Sequence, residues 1–300
     1  MNDWVKRTEY NKVISLKLII PGSCNAKCVF CYMNDKKLNL KETKKEFLDN
    51  FINSINQFLK ELEDKNPVSL DITGNEPTLD VSFLGKVLTL LKESGVQRKF
   101  TRVTLTTNGV HIEEIIPYLK DVVDYVNLSV HDYREDERKK IMGISVFPSY
   151  APIIKKLNDI GITVSCVSVL YKPVINFQEW FSNFVDWCKE QGFISLRFRW
   201  NVFWDESETF ENYMDIGMHN SDYQIINHEN TPDSHWCRLR RYDGFRVFFL
   251  KGVLDTSECT KGIEYVIAED GQCYCDFYKK TKLEDYEFKV GEIYDMGSIN

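Results

Sequence analysis

No stretch of this chain approaches the roughly 18 consecutive apolar residues of a membrane-spanning helix. The N-terminal MNDWVKRTEY contains no apolar run of the kind a signal peptide carries. These absences predict a cytoplasmic protein without membrane contact. Positive charge is not in excess either: 38 Lys and Arg stand against 45 Asp and Glu, a net charge of −7. Nucleic acid is therefore an unlikely partner by charge balance, since neutralising a phosphate backbone calls for a basic surface. There is no low-complexity tract and no repeat beyond an alternation of strands and helices. What the chain does have is nine cysteines. In a reducing cytosol they point to metal or redox chemistry more than to disulfides.

From residue 14 to about 200, short β-rich runs alternate with helical ones. The strand candidates are ISLKLII (14–20), VSLDIT (68–73), RVTLTTN (102–108), YVNLSVH (125–131), ITVSCVSVL (162–170) and ISLRFRW (194–200). Helices are expected over 41–65, where Phe47, Phe51, Ile55 and Phe58 recur at helical spacing, and over 81–94, 113–123, 150–160 and 177–191. Strand–helix alternation predicts right-handed βαβ units and a parallel sheet. Both an open barrel and a doubly wound sheet fit. The strand faces favour the barrel. Ser69, Asp71 and Thr73 share one face, as do Thr104, Thr106 and Asn108; Asn127, Ser129 and His131; and Ser195, Arg197 and Arg199. A polar face on four strands, with helices covering the other, predicts a wet interior. The expected fold is a partial (β/α)6 TIM-type barrel.

After residue 200 the pattern changes. Residues 201–235 are polar with little periodicity and read as a solvated loop. GFRVFFLKG, IEYVIAEDGQCYCDFY and EFKVGEIYD then read as short strands, with a hairpin turn at Glu269–Asp270–Gly271. The expected organisation is a tail over 1–13, a barrel over 14–230 and a small C-terminal α+β module over 231–300.

Three cysteines, Cys24, Cys28 and Cys31, fall on the loop leaving the first strand, and the next is Cys166. Three thiolates on a compact loop suit an iron–sulfur cube with one iron left open. An open metal position is where a substrate or cofactor binds. A zinc site borrowing a distant ligand, or three unrelated thiols, also fit the spacing.

The stretch CNAKCVFC (24–31) resembles the C-x3-C-x-aromatic-C signature of the radical S-adenosylmethionine (SAM) superfamily. TGNEP (73–77) resembles that family's Gly-Gly-Glu-Pro motif, with Asn75 in place of the second glycine. TTNG (106–109) and NLSVHD (127–132) resemble its third- and fourth-strand endings. The resemblance implies a [4Fe–4S] cluster on Cys24, Cys28 and Cys31, with SAM chelating the open iron and yielding a 5′-deoxyadenosyl radical. Phe30 and Tyr32 would lie near the adenine. Gly74, Asn75 and Glu76 would receive the methionine amino group. Asn108 and Ser129 would reach the ribose or the methionine end. Arg197 and Arg199 would meet the SAM carboxylate or an anionic substrate, or else pair internally with Asp71 or Asp132. His131 and Asp132, at the end where barrel sites form, are candidates for substrate contact or for structural hydrogen bonds.

Cys237, Cys259, Cys273 and Cys275 lie in the last 64 residues. CTKGIEYVIAEDGQCYC more loosely resembles the SPASM or shortened twitch module, which implies room for one auxiliary iron–sulfur cluster. Buried free thiols are the alternative; Cys166 and Cys188 are expected in the core. The function expected is that of a radical SAM enzyme served by an electron donor such as a flavodoxin or ferredoxin. Peptide modification stands first, although the 13 residues before the first strand leave little room there for a leader-binding domain. Rearrangement or dehydrogenation of a nucleotide, sugar or cofactor precursor stands second. The non-enzymatic alternative is an iron–sulfur or zinc protein that does not cleave SAM.

Overall fold

A computed structural model describes residues 14–31, 40–62, 67–200, 207–231, 234–251, 264–275 and 282. Six parallel strands form its centre: β1 (Ile14–Ile20), β2 (Val68–Gly74), β3 (Arg102–Thr107), β4 (Tyr125–Ser129), β5 (Thr163–Leu170) and β6 (Ser195–Trp200). Helices α1 (Leu40–Glu61), α2 (Val81–Ser94), α3 (Ile112–Leu119), α4 (Glu135–Met142), α5 (Tyr150–Asp159) and α6 (Phe177–Gln191) lie between them. This is the expected strand–helix alternation, in an open rather than closed sheet.

The helices form where their apolar stripes require it. Phe47, Phe51, Ile55 and Phe58 of α1 are all 0% exposed. Burying each such side chain stabilises the fold by about 1.5–3 kcal/mol. Asp80 caps α2 by accepting from the Phe83 N–H, and Gly95 ends it at φ 70°. Helix α3 is shorter than the sequence suggests, and Asp121 at φ 67° lies in the left-handed region just beyond it.

The outward strand residues Leu70, Ile72, Leu105, Val126, Leu128, Leu196 and Phe198 are fully buried against the helices. Cys166 and Cys188 lie in this core. The opposite face is polar, and it curls. Four interstrand steps separate β2 from β6 in a flat sheet, roughly 19 Å. Against burial, Lys17, Arg102 and the Ser15 hydroxyl hold the Asp71 carboxyl on β2 below the ordinary carboxylate range, and Arg199 on β6 adds a small contribution. A curved sheet accounts for that reach across four strands.

The region after residue 200 differs from expectation. Helix α7 (Ser207–Met218) and strands β7 (Tyr223–Thr231) and β8 (Ser234–Arg241) occupy much of the presumed loop. With β9 (Arg246–Lys251), β10 (Glu264–Ile267) and β11 (Cys273–Tyr274) they join the same sheet, in the order β11-β10-β1-β2-β3-β4-β5-β6-β9-β8-β7. The strands assigned from sequence to one C-terminal module thus flank both edges of the barrel sheet. The β10–β11 pair is the expected hairpin, turning at Gly271 with φ 76°. Among the described residues, no helix is long and apolar enough to cross a membrane.

Candidate cluster and cofactor site

Strand β1 ends at Ile20, and the chain turns over the C-terminal ends of the parallel strands. The cysteine loop is tied down from three sides. Asn75 Nδ2 donates to the Gly22 carbonyl at 2.7 Å, and the Glu76 N–H donates to the Ser23 carbonyl at 3.2 Å. The N–H groups of Lys27 and Val29 donate to the Met142 and Ile141 carbonyls at the end of α4. Asn108 Nδ2 donates to Asn25 Oδ1 at 2.6 Å. Below the loop, Ala26, Ile141, Met142 and Ile144 form a small buried cluster on which Cys28 and Phe30 pack.

The three thiols are partly open to solvent and close enough to perturb one another. Burial, then the charges of Cys31 and Cys24, push the Cys28 thiol up to about 12. Burial raises Cys24 as well, with Glu76 and Cys31 adding smaller contributions against a hydrogen bond from the Ala26 N–H. Thiolates that repel one another are relieved by a cationic centre, because metal binding favours the deprotonated ligand. Among the described residues, no three His, Cys, Asp or Glu side chains converge as they would on a single metal ion. The donor set fits a multi-iron cluster.

Glu76 is a buried strut. Its Oε1 accepts from the Thr78 N–H (3.0 Å), Thr78 Oγ1 (2.7 Å) and Thr107 Oγ1 (2.5 Å), while Oε2 accepts from the Asn108 N–H (2.7 Å). Oε2 therefore keeps a lone pair for an ammonium group. Asn75, the departure from the family motif, spends its side chain on the loop before the first cysteine. Gly74 stands at φ 146°, and a Cβ there would come 2.8 Å from the Ile20 carbonyl oxygen. The backbone at this site has no room for a side chain.

Strand alternation groups His131 with Asn127 and Ser129 on one face. Instead β4 stops at Ser129 and His131 sits at φ 69°, outside that alternation. Its Nδ1 accepts the Val169 N–H at 3.0 Å, and burial lowers its pKa to about 3. The ring is thus neutral with the proton on Nε2. Phe30 stacks edge-on to it, with centroids 4.8 Å apart, and meets Tyr171 at 5.4 Å. Asp132 is fully occupied: Oδ1 accepts from Arg134 N and Nε, and Oδ2 from Arg134 Nη2 and Trp180 Nε1. Of its two expected roles, the structural hydrogen bonds are the one present. A cavity of about 410 Å³ opens beside these residues, with Val169, Tyr171, Asn176 and Trp180 in its wall.

Tyr32 and Cys259 lie outside the described residues. Cys237 is not grouped with Cys273 and Cys275. It is buried in the core, where burial pushes its thiol up to about 12 and Asp215 of α7 adds to the rise. Eight strands stand between β8 and β11 in the sheet order. Cys273 and Cys275 do face the same way, and Cys275 adds to the burial that drives Cys273 up to about 12. Sequence reasoning missed Asn25, Thr78, Thr107 and Tyr171. Thr78 and Thr107 adjoin the TGNEP and TTNG motifs and were legible as partners for a buried Glu76; Asn25 and Tyr171 meet their partners only through the tertiary fold.

A partial parallel barrel sheet with three cysteines on the loop after its first strand defines an α/β fold with a candidate cluster site at the C-terminal ends of its strands. The sequence model of the Radical SAM superfamily matches residues 18–184, more than half of the chain. The chain belongs to that superfamily, which implies a [4Fe–4S] cluster and SAM. The GTP 3′,8-cyclase of Vibrio atlanticus is 27% identical over 190 residues, covering 63% of this chain and 54% of that protein. A probable GTP 3′,8-cyclase of Thermoplasma volcanium is 28% identical over 154 residues, covering 50% and 43%. The chain thus matches about half the length of these curated relatives. In fold it resembles Streptococcus suis SuiB bound to S-adenosylmethionine, with a TM-score of 0.61 at 15% identity, covering 97% of this chain and 68% of that one.

Proposed function

We propose that the protein is a radical SAM enzyme that removes a hydrogen atom from a small-molecule substrate held against the concave face of the sheet. The observation carrying this reading is the loop that presents Cys24, Cys28 and Cys31, pinned by Asn75, Asn108 and α4 over the C-terminal ends of the strands. When bound, the reduced cluster and SAM supply a 5′-deoxyadenosyl radical. Cys24, Cys28 and Cys31 would hold the cluster. Glu76 Oε2 and nearby carbonyls would receive the SAM ammonium group. Phe30 and the neutral His131 would border the adenine, and Ser129 and Asn108 would approach the ribose. A flavodoxin or ferredoxin would supply electrons.

Two observations favour a small molecule over the peptide substrate that stood first on sequence grounds. The concave face carries several arginines suited to a densely charged anion, whereas a peptide offers its negative charges singly, at acidic side chains or its C-terminus. The curated relatives act, by name, on a nucleotide. The paired thiols of Cys273 and Cys275, with Cys259, are the candidate ligands of a second cluster.

Reconstitution without oxygen, followed by reduction with SAM present, is the test. The expected products are methionine and 5′-deoxyadenosine, lost in Cys28→Ala. Colourless protein with stoichiometric zinc and no 5′-deoxyadenosine would overturn the reading and favour the non-enzymatic alternative.

A further inference from the structure

The sheet register places five arginines on the concave face of three adjacent strands. Arg197 of β6 pairs in register with Phe248 of β9, which pairs with Arg238 of β8. One step along, Arg246 of β9 lies opposite Arg240 of β8, and Arg199 follows Arg197 on β6. Burial confirms the facing: Cys237, Leu239, Val247 and Phe249 are 0% exposed on the helix side, while the arginines between them are half-buried or exposed.

The arrangement concentrates like charge. The guanidinium carbons of Arg197 and Arg238 lie 5.0 and 5.3 Å from the centroid of the Phe248 ring, so both cations flank one aromatic. The Nε of Arg197 is buried and has no hydrogen-bond acceptor among the described residues. Burial, then the charges of Arg102 and Arg199, lower its pKa to about 9; Asp71 opposes them, and Arg246 adds a smaller contribution. Asp71 already accepts from Ser15 Oγ and pairs with Lys17. One carboxylate is thus shared among several cations.

We infer that Arg197, Arg199, Arg238, Arg240 and Arg246 bind the phosphate chain of the substrate, a phosphorylated or polyphosphorylated small molecule. The inference rests on the reading given under Proposed function, since it assigns the substrate of that same site. Strands lie about 4.8 Å apart, so the three backbones span roughly 10 Å across the sheet, and the four residues between the levels of Arg246 and Arg199 add roughly 13 Å along it. A single carboxylate meets one guanidinium fork; a chain of phosphoryl groups meets several. Because β6 and β9 run parallel to β1, an anion on this wall leaves the rest of its molecule free to extend toward the cysteine loop at the C-terminal ends of the strands.

The test is calorimetric titration of the reconstituted, SAM-bound protein with inorganic tripolyphosphate, and separately with citrate. The iron–sulfur absorbance is followed to show that the probe leaves the cluster intact. Tripolyphosphate is expected to bind more tightly than citrate, and its affinity to fall steeply with added salt. Arg238→Gln and Arg246→Gln should each weaken it about tenfold or more. Arg238→Lys, which keeps the charge and much of the packing, should weaken it less than Arg238→Gln. Unchanged affinity in both glutamine variants, or citrate binding as tightly as tripolyphosphate, would overturn the inference. Formation of 5′-deoxyadenosine by wild-type protein without substrate is measured in the same preparations and reports on the radical reading alone. Phosphate binding without SAM cleavage would sink that reading and leave the wall standing, and SAM cleavage without phosphate binding would do the reverse.

Discussion

The side-chain amide of Asn108, at the end of β3, donates to the side-chain oxygen of Asn25, between the first two cysteines, at 2.6 Å. The orientation of Asn108 is set by its own Oδ1, which accepts the Val110 N–H. The two residues are 83 apart in sequence, and this bond carries the third strand's position into the cluster loop. Asn108→Asp puts an acceptor against an acceptor and should destabilise the chelator-treated protein by about 1–3 kcal/mol. Asn25→Asp keeps an acceptor for the Asn108 amide and should cost clearly less. Urea unfolding of both variants checks this; equal losses would refute the orientation.

Gly74 has no room for a β-carbon, and its φ of 146° disfavours any other residue. Gly74→Ala should cost about 1–3 kcal/mol and lower iron incorporation, because the displaced Ile20 carbonyl leads directly into the cysteine loop. Thermal unfolding and iron content per chain measure the two effects.

His131 is buried neutral with a pKa lowered to about 3, whereas an unfolded histidine titrates near 6.5. Between these values the unfolded chain binds a proton that the folded one refuses. The stability contribution is complete above about pH 6.5 and is lost as pH falls toward 3, by about 1.4 kcal/mol per pH unit. His131→Asn, with a side chain that tolerates left-handed backbone, should remove this slope between pH 6.5 and 5. Denaturant unfolding at several pH values would show it, and an unchanged slope would contradict the assignment.

Asp132 holds Arg134 and the indole N–H of Trp180 together. Asp132→Asn loses the charge and turns a donor toward one of those partners. A loss of about 1–3 kcal/mol is expected, with Trp180→Phe showing a smaller loss. If Asp132→Asn unfolds at the wild-type denaturant concentration, the carboxylate is not a strut.

The proposed second cluster predicts that Cys273→Ala/Cys275→Ala loses about half the iron of the reconstituted protein, as removal of one of two four-iron clusters requires. Unchanged iron would reject it. Cys237→Ala, a substitution in the core at the far side of the sheet order, should leave the iron content alone while lowering stability.

Much of the barrel was legible. The aromatic stripe of α1 and the alternation in β1 to β6 are local patterns set by the helical and strand periods, and they appear in the structure within a residue or two at most strand ends. The signals after residue 200 were also present but harder to read. Phe210, Tyr213 and Met214 stand at helical spacing and are buried. In β8 Cys237 and Leu239 alternate with Arg238 and Arg240, a pattern with no strand assignment from sequence, whereas β9 lies within the expected strand GFRVFFLKG. Helix α4, EDERKKIM, has almost no apolar stripe; its role is to offer two terminal carbonyls to the cysteine loop.

The sequence by itself determined the class of chemistry. Three cysteines within eight residues must sit together whatever the rest of the chain does, because so short a loop cannot separate them, and strand period alone assigns polar side chains to a common face. Tertiary structure decided everything that depends on contacts between distant segments. It grouped Arg197 with Arg238, fastened Asn108 to Asn25 and committed Asp132 to Trp180. It also separated Cys237 from the cysteine pair it resembled on paper. Register between strands and the curl of the sheet set those distances, and neither quantity is written in any local stretch of residues.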